Sequence, residues 1–181
     1  MTHSIIFSGF GGQGIMLMGQ LLTQAGMLAG KKVSWIPSYG PEMRGGTAYC
    51  NVTISDEPIG SPVVTEPTLV VAMNLPSVLR FAPQVVPGGT LVINTSLAPD
   101  PVGRTDITQV HVPINSIADD LGNPKVLNMV GLGVVIAACQ PVSEEEMLRG
   151  LDSMLGKKFE KKPQLLELNR AALKKGMEQV R

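Results

Sequence analysis

Cys50 and Cys139 are the only thiols in this 181-residue chain, and they stand far apart, outside any C-x-x-C arrangement. The chain therefore cannot supply four thiolates to an iron–sulfur cluster or to a closed structural zinc site. A disulfide framework is equally unsupported, which suits a reducing compartment. Net charge is missing as well, because 15 basic residues face 15 acidic ones. Nothing in that balance recruits nucleic acid or an anionic membrane. No Lys or Arg precedes the first apolar stretch, MTHSIIFSGFGGQG, and glycines break it at once, so it does not read as a signal peptide. The longest charge-free span of the second half, Val126–Ser143, contains Asn128, Gln140 and Pro141. Its apolar part is shorter than the roughly 20 residues that cross a bilayer. The expectation is a cytoplasmic chain with neither a membrane nor a nucleic-acid partner.

What the chain does have is 44% apolar residues, enough for a packed core. Its length suits one domain over residues 1–181, with charged C-terminal helices from about residue 143. The charge is unevenly spread: residues 1–141 hold 14 of the 30 charged side chains and the last 40 residues hold 16. Protein interfaces are depleted of charge at their centres and enriched in methionine, and this chain has ten Met. The front of the molecule is thus expected to be covered by other chains. The blander alternative is a surface that relies on Ser, Thr, Asn and Gln.

Ser4–Ser8 is a short apolar run that ends in Gly9 and reads as a buried strand. Gly14–Ala29 carries Ile15, Met18, Leu22, Ala25 and Ala29 at helical spacing, and Gly30 with Lys31 and Lys32 makes a helix stop. Val33–Ile36 reads as a second strand, and Pro37–Gly46 (PSYGPEMRGG) as irregular structure. Thr47–Ile54 alternates, with Ala48, Cys50, Val52 and Ile54 on one side and polar residues on the other, as an antiparallel or peripheral strand does. Thr68–Met73 and Thr90–Asn94 fit central strands, Leu75–Phe81 a short helix, Val110–Val112 a last strand and Leu127–Cys139 a buried helix. Ser143 with Glu146 forms a capping box for a helix through Met154, and Leu166, Leu173, Met177 and Val180 support a C-terminal amphipathic helix. Between these two, Lys157, Lys158, Lys161 and Lys162 read as a solvated basic connector. The order of elements implies an α/β fold: three layers, α/β/α, Rossmann-like with a mixed sheet.

Gly9-Phe10-Gly11-Gly12-Gln13-Gly14 satisfies G-x-G-x-x-G between a strand and a helix. Glycines let the backbone approach an anion, and the helix N-terminus offers unpaired N–H groups and the positive end of a dipole. A dinucleotide site also needs an acidic residue about 20 positions on, to hold the ribose. No Asp or Glu occurs before Glu42. The loop is thus either a phosphate cradle or merely a tight strand–helix turn. No catalytic constellation and no metal-ligand spacing appear elsewhere. His3 and His111 are isolated, Cys50 falls on the apolar side of its strand, and Glu144–Glu146 sit where a helix dipole favours acids.

The segment GFGGQGIMLMGQLL, followed by WIPSYGPEMRGGTAYCNVTISDEPIGSPVV (Trp35–Val64) and NMVGLGVVIAA (Asn128–Ala138), resembles the gamma subunit of 2-oxoacid:ferredoxin oxidoreductases. The likeness covers most of the chain and is loosest in the charged C-terminal helices. It implies a multisubunit enzyme that decarboxylates a 2-oxoacid, 2-oxoglutarate ahead of 2-oxoisovalerate. Such an enzyme forms an acyl-CoA and sends two electrons to ferredoxin or flavodoxin. Thiamine diphosphate, Mg and the Fe-S clusters are implied for the partner alpha and beta subunits and an optional ferredoxin-like delta subunit. Coenzyme A is the co-substrate, and this chain itself binds no cofactor. The resemblance implies that Gly9, Gly11, Gly12, Gln13 and Gly14, with Ser38, Tyr39, Gly40, Pro41, Glu42, Arg44, Gly45 and Gly46, form either one wall of the assembled site or a subunit interface. In the wall reading Tyr39 stacks or hydrogen-bonds, Arg44 pairs with a carboxylate or phosphate, and Glu42 positions Arg44. Two rivals remain, a stand-alone nucleotide-binding oxidoreductase and a pure scaffold. Apolar surface left bare without partners makes a homodimer a further state of the isolated chain.

Overall fold

The computed structural model describes residues 1–38 and 47–180. The chain opens with β1 (Thr2–Phe10), α1 (Ile15–Leu28), β2 (Lys32–Ser38) and β3 (Thr47–Ser55), then β4 (Leu69–Ala72), α2 (Leu75–Phe81), β5 (Thr90–Asn94) and β6 (Thr108–Val112). Four helices follow: α3 (Ile114–Asp120), α4 (Leu127–Cys139), α5 (Glu144–Leu155) and α6 (Pro163–Met177). The strands form one mixed sheet in the order β2-β3-β1-β4-β5-β6 among the described residues. Strands β1, β4, β5 and β6 are parallel, while β3 runs antiparallel to both of its neighbours. None of the helices described is long and apolar enough to cross a membrane.

Alternation along the strands sends two sets of side chains to opposite faces. Ile5, Phe7, Cys50, Val52, Ile54, Leu69, Val71 and Val92 pack with α1, α4 and α5 in the larger core. Ile6, Val70, Ala72, Leu91 and Ile93 meet Val78 and Phe81 of α2 on the other face. The sheet is thus covered on both sides, heavily by five helices and lightly by α2 and loops. Each fully buried Leu, Ile, Val or Phe contributes about 1.5–3 kcal/mol. The crossover through α1 leads from β1 toward β2, and that through α2 leads from β4 toward β5, on opposite faces. The chain therefore parts between β1 and β4, and a crevice lies beyond their C-terminal ends, where α/β folds bind ligands.

Local chemistry sets the boundaries. Helix α1 ends with Gly30 at φ 75, Gly30 N–H bonding to Met27 and Lys31 N–H to Gly26, which satisfies its last carbonyls. At the start of α5, Ser143 Oγ accepts from Glu146 N–H and Glu146 Oε2 accepts from Ser143 N–H, as the capping-box spacing predicts. Helix α4 buries nine consecutive residues, Asn128–Ile136. It meets α6 so closely that an added Cβ at Gly133 would overlap the Leu173 carbonyl oxygen, and one at Gly176 the Val130 carbonyl oxygen.

Three expectations change. Pro37 and Ser38 belong to β2, paired with Cys50 and Tyr49, rather than to an irregular segment. An edge strand tolerates proline because one side of its backbone has no neighbour to bond. Helix α3 has no forerunner in the sequence pattern. Its polar residues Asn115 and Ser116 face Asn94 and Ser96 rather than solvent alone, which hides the helical period. Val180 lies beyond the end of α6.

Candidate functional site

The glycine loop leaves the end of β1 at the crevice. Gln13 N–H bonds back to the Phe10 carbonyl at 3.2 Å, closing the turn. The Gln13 side chain then folds inward: Oε1 accepts from Phe10 N–H at 2.7 Å and Nε2 donates to the Met73 carbonyl at 3.3 Å. Met73 follows β4, so Gln13 bridges the ends of β1 and β4 and fills the crevice between them. Gly9 lies behind it, with no room for a Cβ against Gln13, Ile15 and Met73.

In front of the loop is an open depression of about 380 Å³, walled by Phe10, Gly11, Gly12, Gly14, Met16 and Ala48. Gly9 and Gln13 do not line it. Gly14 holds the left-handed conformation at φ 74 and caps α1 with no side-chain hydrogen bond, and the first turn carries no acid. The first α-helical bond runs from Met18 N–H to the Gly14 carbonyl, so the N–H groups of Ile15, Met16 and Leu17 have no acceptor within the helix. The depression is thus a patch of backbone donors at a positive dipole end. Among the described residues, no Lys or Arg lines it.

Behind the loop lies a polar network for which the sequence gives no motif. Asn94, fully buried, donates from Nδ2 to the Met73 carbonyl at 3.1 Å and to Asn115 Oδ1 at 2.8 Å, and its Oδ1 accepts from Ile114 N–H. Asn74 caps α2 by accepting from Ser77 N–H, while its Nδ2 is buried without a partner. Asn128 lies against Gly14, its Nδ2 2.6 Å from where a Cβ would stand. Asparagines just after strands and at helix starts are the one signal that could have found this network.

Ser38 is half-buried at the end of β2 opposite Tyr49, and Thr47 pairs with Phe10. These two residues therefore flank the second candidate segment on the sheet edge from which the glycine loop springs. Tyr39, Gly40, Pro41, Glu42, Arg44, Gly45 and Gly46 lie outside the described residues. His111 is exposed on β6, and no group of three His, Cys, Asp or Glu comes together among the described residues.

Cys50 is fully buried, and burial pushes its thiol up to about 12, against the smaller opposite pull of the neighbouring Trp35 indole. That indole N–H finds no proper hydrogen-bond partner. A raised thiol pKa means that the unfolded chain loses this proton first, so stability falls as pH rises from about 9 toward about 12. In the native state Cys50 is expected to resist a thiol reagent at pH 8 and to react only after unfolding. Cys50→Ala is expected to flatten the alkaline limb of stability against pH.

Residues 4–179 match the model of the pyruvate ferredoxin/flavodoxin oxidoreductase family. The chain is 38% identical to the ketoisovalerate oxidoreductase subunit VorA of Methanothermobacter thermautotrophicus over 96% of its own length, and spans only 35% of that protein. It is 34% identical to the 2-oxoglutarate synthase subunit KorC of Methanocaldococcus jannaschii, covering 98% of this chain and 94% of the relative. The crystal structure of a keto/oxoacid ferredoxin oxidoreductase gamma subunit from Geobacter sulfurreducens superposes with a TM-score of 0.86 at 28% identity, over 99% of this chain and 97% of that one. Sequence and fold agree from end to end, and the chain belongs to the pyruvate ferredoxin/flavodoxin oxidoreductase family.

Proposed function

We propose that this chain is the gamma subunit of a multisubunit 2-oxoacid:ferredoxin oxidoreductase, which converts a 2-oxoacid and CoA to acyl-CoA and CO2 and passes two electrons to ferredoxin or flavodoxin. The likeness to KorC across 98% of the chain carries this reading. Two distant cysteines do not fit a four-thiolate cluster, and one of them is sealed in the core. We assign the clusters, with thiamine diphosphate and Mg, to alpha and beta partners and an optional ferredoxin-like delta subunit, and this chain completes the assembly and its site. The acid we propose is 2-oxoglutarate. Ketoisovalerate is the second reading, favoured by the 38% identity to VorA.

In the assembled enzyme, the N–H groups of Gly11, Gly12, Gly14 and the first turn of α1 face a phosphate of CoA. The uncapped, acid-free start of α1 supports this. Tyr39, Glu42 and Arg44 close the same wall, with Arg44 pairing to carboxylate or phosphate.

The experiment is anaerobic purification of the tagged chain from its host, followed by assays of the complex. Larger partners and a brown chromophore are expected, with kcat/KM higher for 2-oxoglutarate than for 2-oxoisovalerate. The reverse order changes the substrate, and a lone colourless chain overturns the subunit reading. Within the complex, Arg44→Ala is expected to raise KM for CoA or the 2-oxoacid by at least about tenfold. Unchanged kinetics with every substrate would remove Arg44 from the wall and leave it an interface residue.

A further inference from the structure

We infer that the chain carries a second anion-binding cleft, distinct from the glycine loop, in which Lys125, Lys158 and Asn128 hold a phosphoryl group of a small organic molecule. The cleft encloses about 290 Å³ where the turn before α4 meets the segment between α5 and α6. This is where the basic run of the sequence stops being a mere connector. Lys125, in the turn before α4, and Lys158, in the segment between α5 and α6, both line the cleft, and no acidic side chain does.

Asn128 gives the cleft a fixed donor. It is 5% exposed, and its Oδ1 accepts from Met129 N–H at 3.0 Å. That bond sets the orientation of the amide, because an NH2 group cannot accept from an N–H. The Nδ2 donor is left with no acceptor among the described residues. Unlike Asn74 Nδ2, this donor is not sealed from water, so a bound oxyanion can replace water at it. Lys125 is anchored as well: Asn123 Oδ1 accepts its backbone N–H at 3.0 Å within the short turn Pro124–Val126. Neither lysine forms an ion pair among the described residues, and Lys158 Nζ lies 5.8 Å from the Phe159 ring centroid.

Two ammonium groups and an amide donor, with no counter-charge in the wall, suit a doubly charged phosphate better than a single carboxylate. Leu17, Phe159 and Leu165 give the rest of the cleft apolar sides that would hold an organic group. The inference rests on neither the gamma-subunit reading nor a ligand at the glycine loop.

The test is titration of the isotope-labelled full chain with inorganic pyrophosphate, followed by NMR. Saturable shifts are expected at the Asn128 side-chain amide and around Lys125 and Lys158. Lys125→Ala and Lys158→Ala should each weaken binding at least about tenfold. Lys161→Ala, in the same basic run but outside the cleft, should leave it within about twofold, as expected for a solvated surface charge. Shifts centred on Gly11 and Gly12, with Lys125 and Lys158 unmoved, would assign the anion to the glycine loop and overturn the inference. Equal weakening by Lys161→Ala would reduce the cleft to a diffuse basic surface. An absence of saturable shifts, or tighter binding of a Glu-rich peptide than of pyrophosphate, would also overturn it.

Discussion

Gly133→Ala is expected to destabilise the chain by about 3–5 kcal/mol, although alanine is the better helix former by about 1 kcal/mol. The new methyl would meet the Leu173 carbonyl oxygen, with its carbon and the Met177 nitrogen close behind at 2.9 and 3.0 Å. These are backbone atoms of α6, so no rotamer change relieves the overlap. Helices α4 and α6 would have to separate along their contact, loosening Ala172 and Leu173 from the core. Gly176→Ala should act alike from the other side, against the Val130 carbonyl. Gly131→Ala, one turn-half away in the same helix, is the control. Its nearest neighbour is the flexible end of Met18, at 2.9 Å, and Met73 Sδ lies 3.6 Å off, so its effect should stay within about 1 kcal/mol of zero. In a chain of this size the Gly133 variant should melt roughly 10 °C lower. Thermal and urea unfolding of the three variants decide the matter, and equal stability of the Gly131 and Gly133 variants would refute the tight crossing.

That crossing was not legible in the sequence, because a glycine in an apolar helix looks the same whether it faces a side chain or a backbone. The elements where local signals agree were legible. The strand–glycine loop–helix opening, the alternating Thr47–Ser55 strand, the buried helix ending at Cys139 and the Ser143 cap all stand where pattern and propensity put them. Strand β2 was only half legible. Pro37 reads as a breaker unless the strand is known to lie at an edge, and that depends on pairing with β3, residues away in sequence. Strand order lies deeper still: the insertion of antiparallel β3 between β2 and β1 follows from burial on both faces, which no single strand reveals.

The candidate site shows the same division. The glycine spacing announces a close backbone approach but not what approaches. Here the inward guest at the crevice is the Gln13 side chain, and the open face beyond it carries Gly11, Gly12 and Gly14. The variable positions of G-x-G-x-x-G thus decide which side of the loop remains available. A glutamine just before the helix is long enough to turn back and satisfy Phe10 itself.

Gly14→Ala is accordingly expected to cost about 3 kcal/mol, and Gly12→Ala only about 1–2 kcal/mol. Both residues have positive φ, 74 for Gly14 and 97 for Gly12, so both variants carry the backbone penalty of an L residue there. They differ in surroundings. A Cβ at Gly12 meets nothing within 4 Å, whereas one at Gly14 stands 2.6 Å from Asn128 Nδ2 and 2.9 Å from Asn128 Cβ and Cγ. Asn128 is buried at the start of α4 and cannot swing away without disturbing its bond to Met129 N–H. Adding Asn128→Ala to Gly14→Ala should therefore recover about 1 kcal/mol relative to the sum of the single changes. A coupling near zero in that double-mutant cycle would mean that Gly14 is required for its dihedral angles alone. A clear coupling would mean that the glycine loop and the first turn of α4 move as one unit. In that case a ligand gripping either side would be felt by the other, and Gly14→Ala should weaken pyrophosphate binding at Lys125 and Lys158 without touching either lysine.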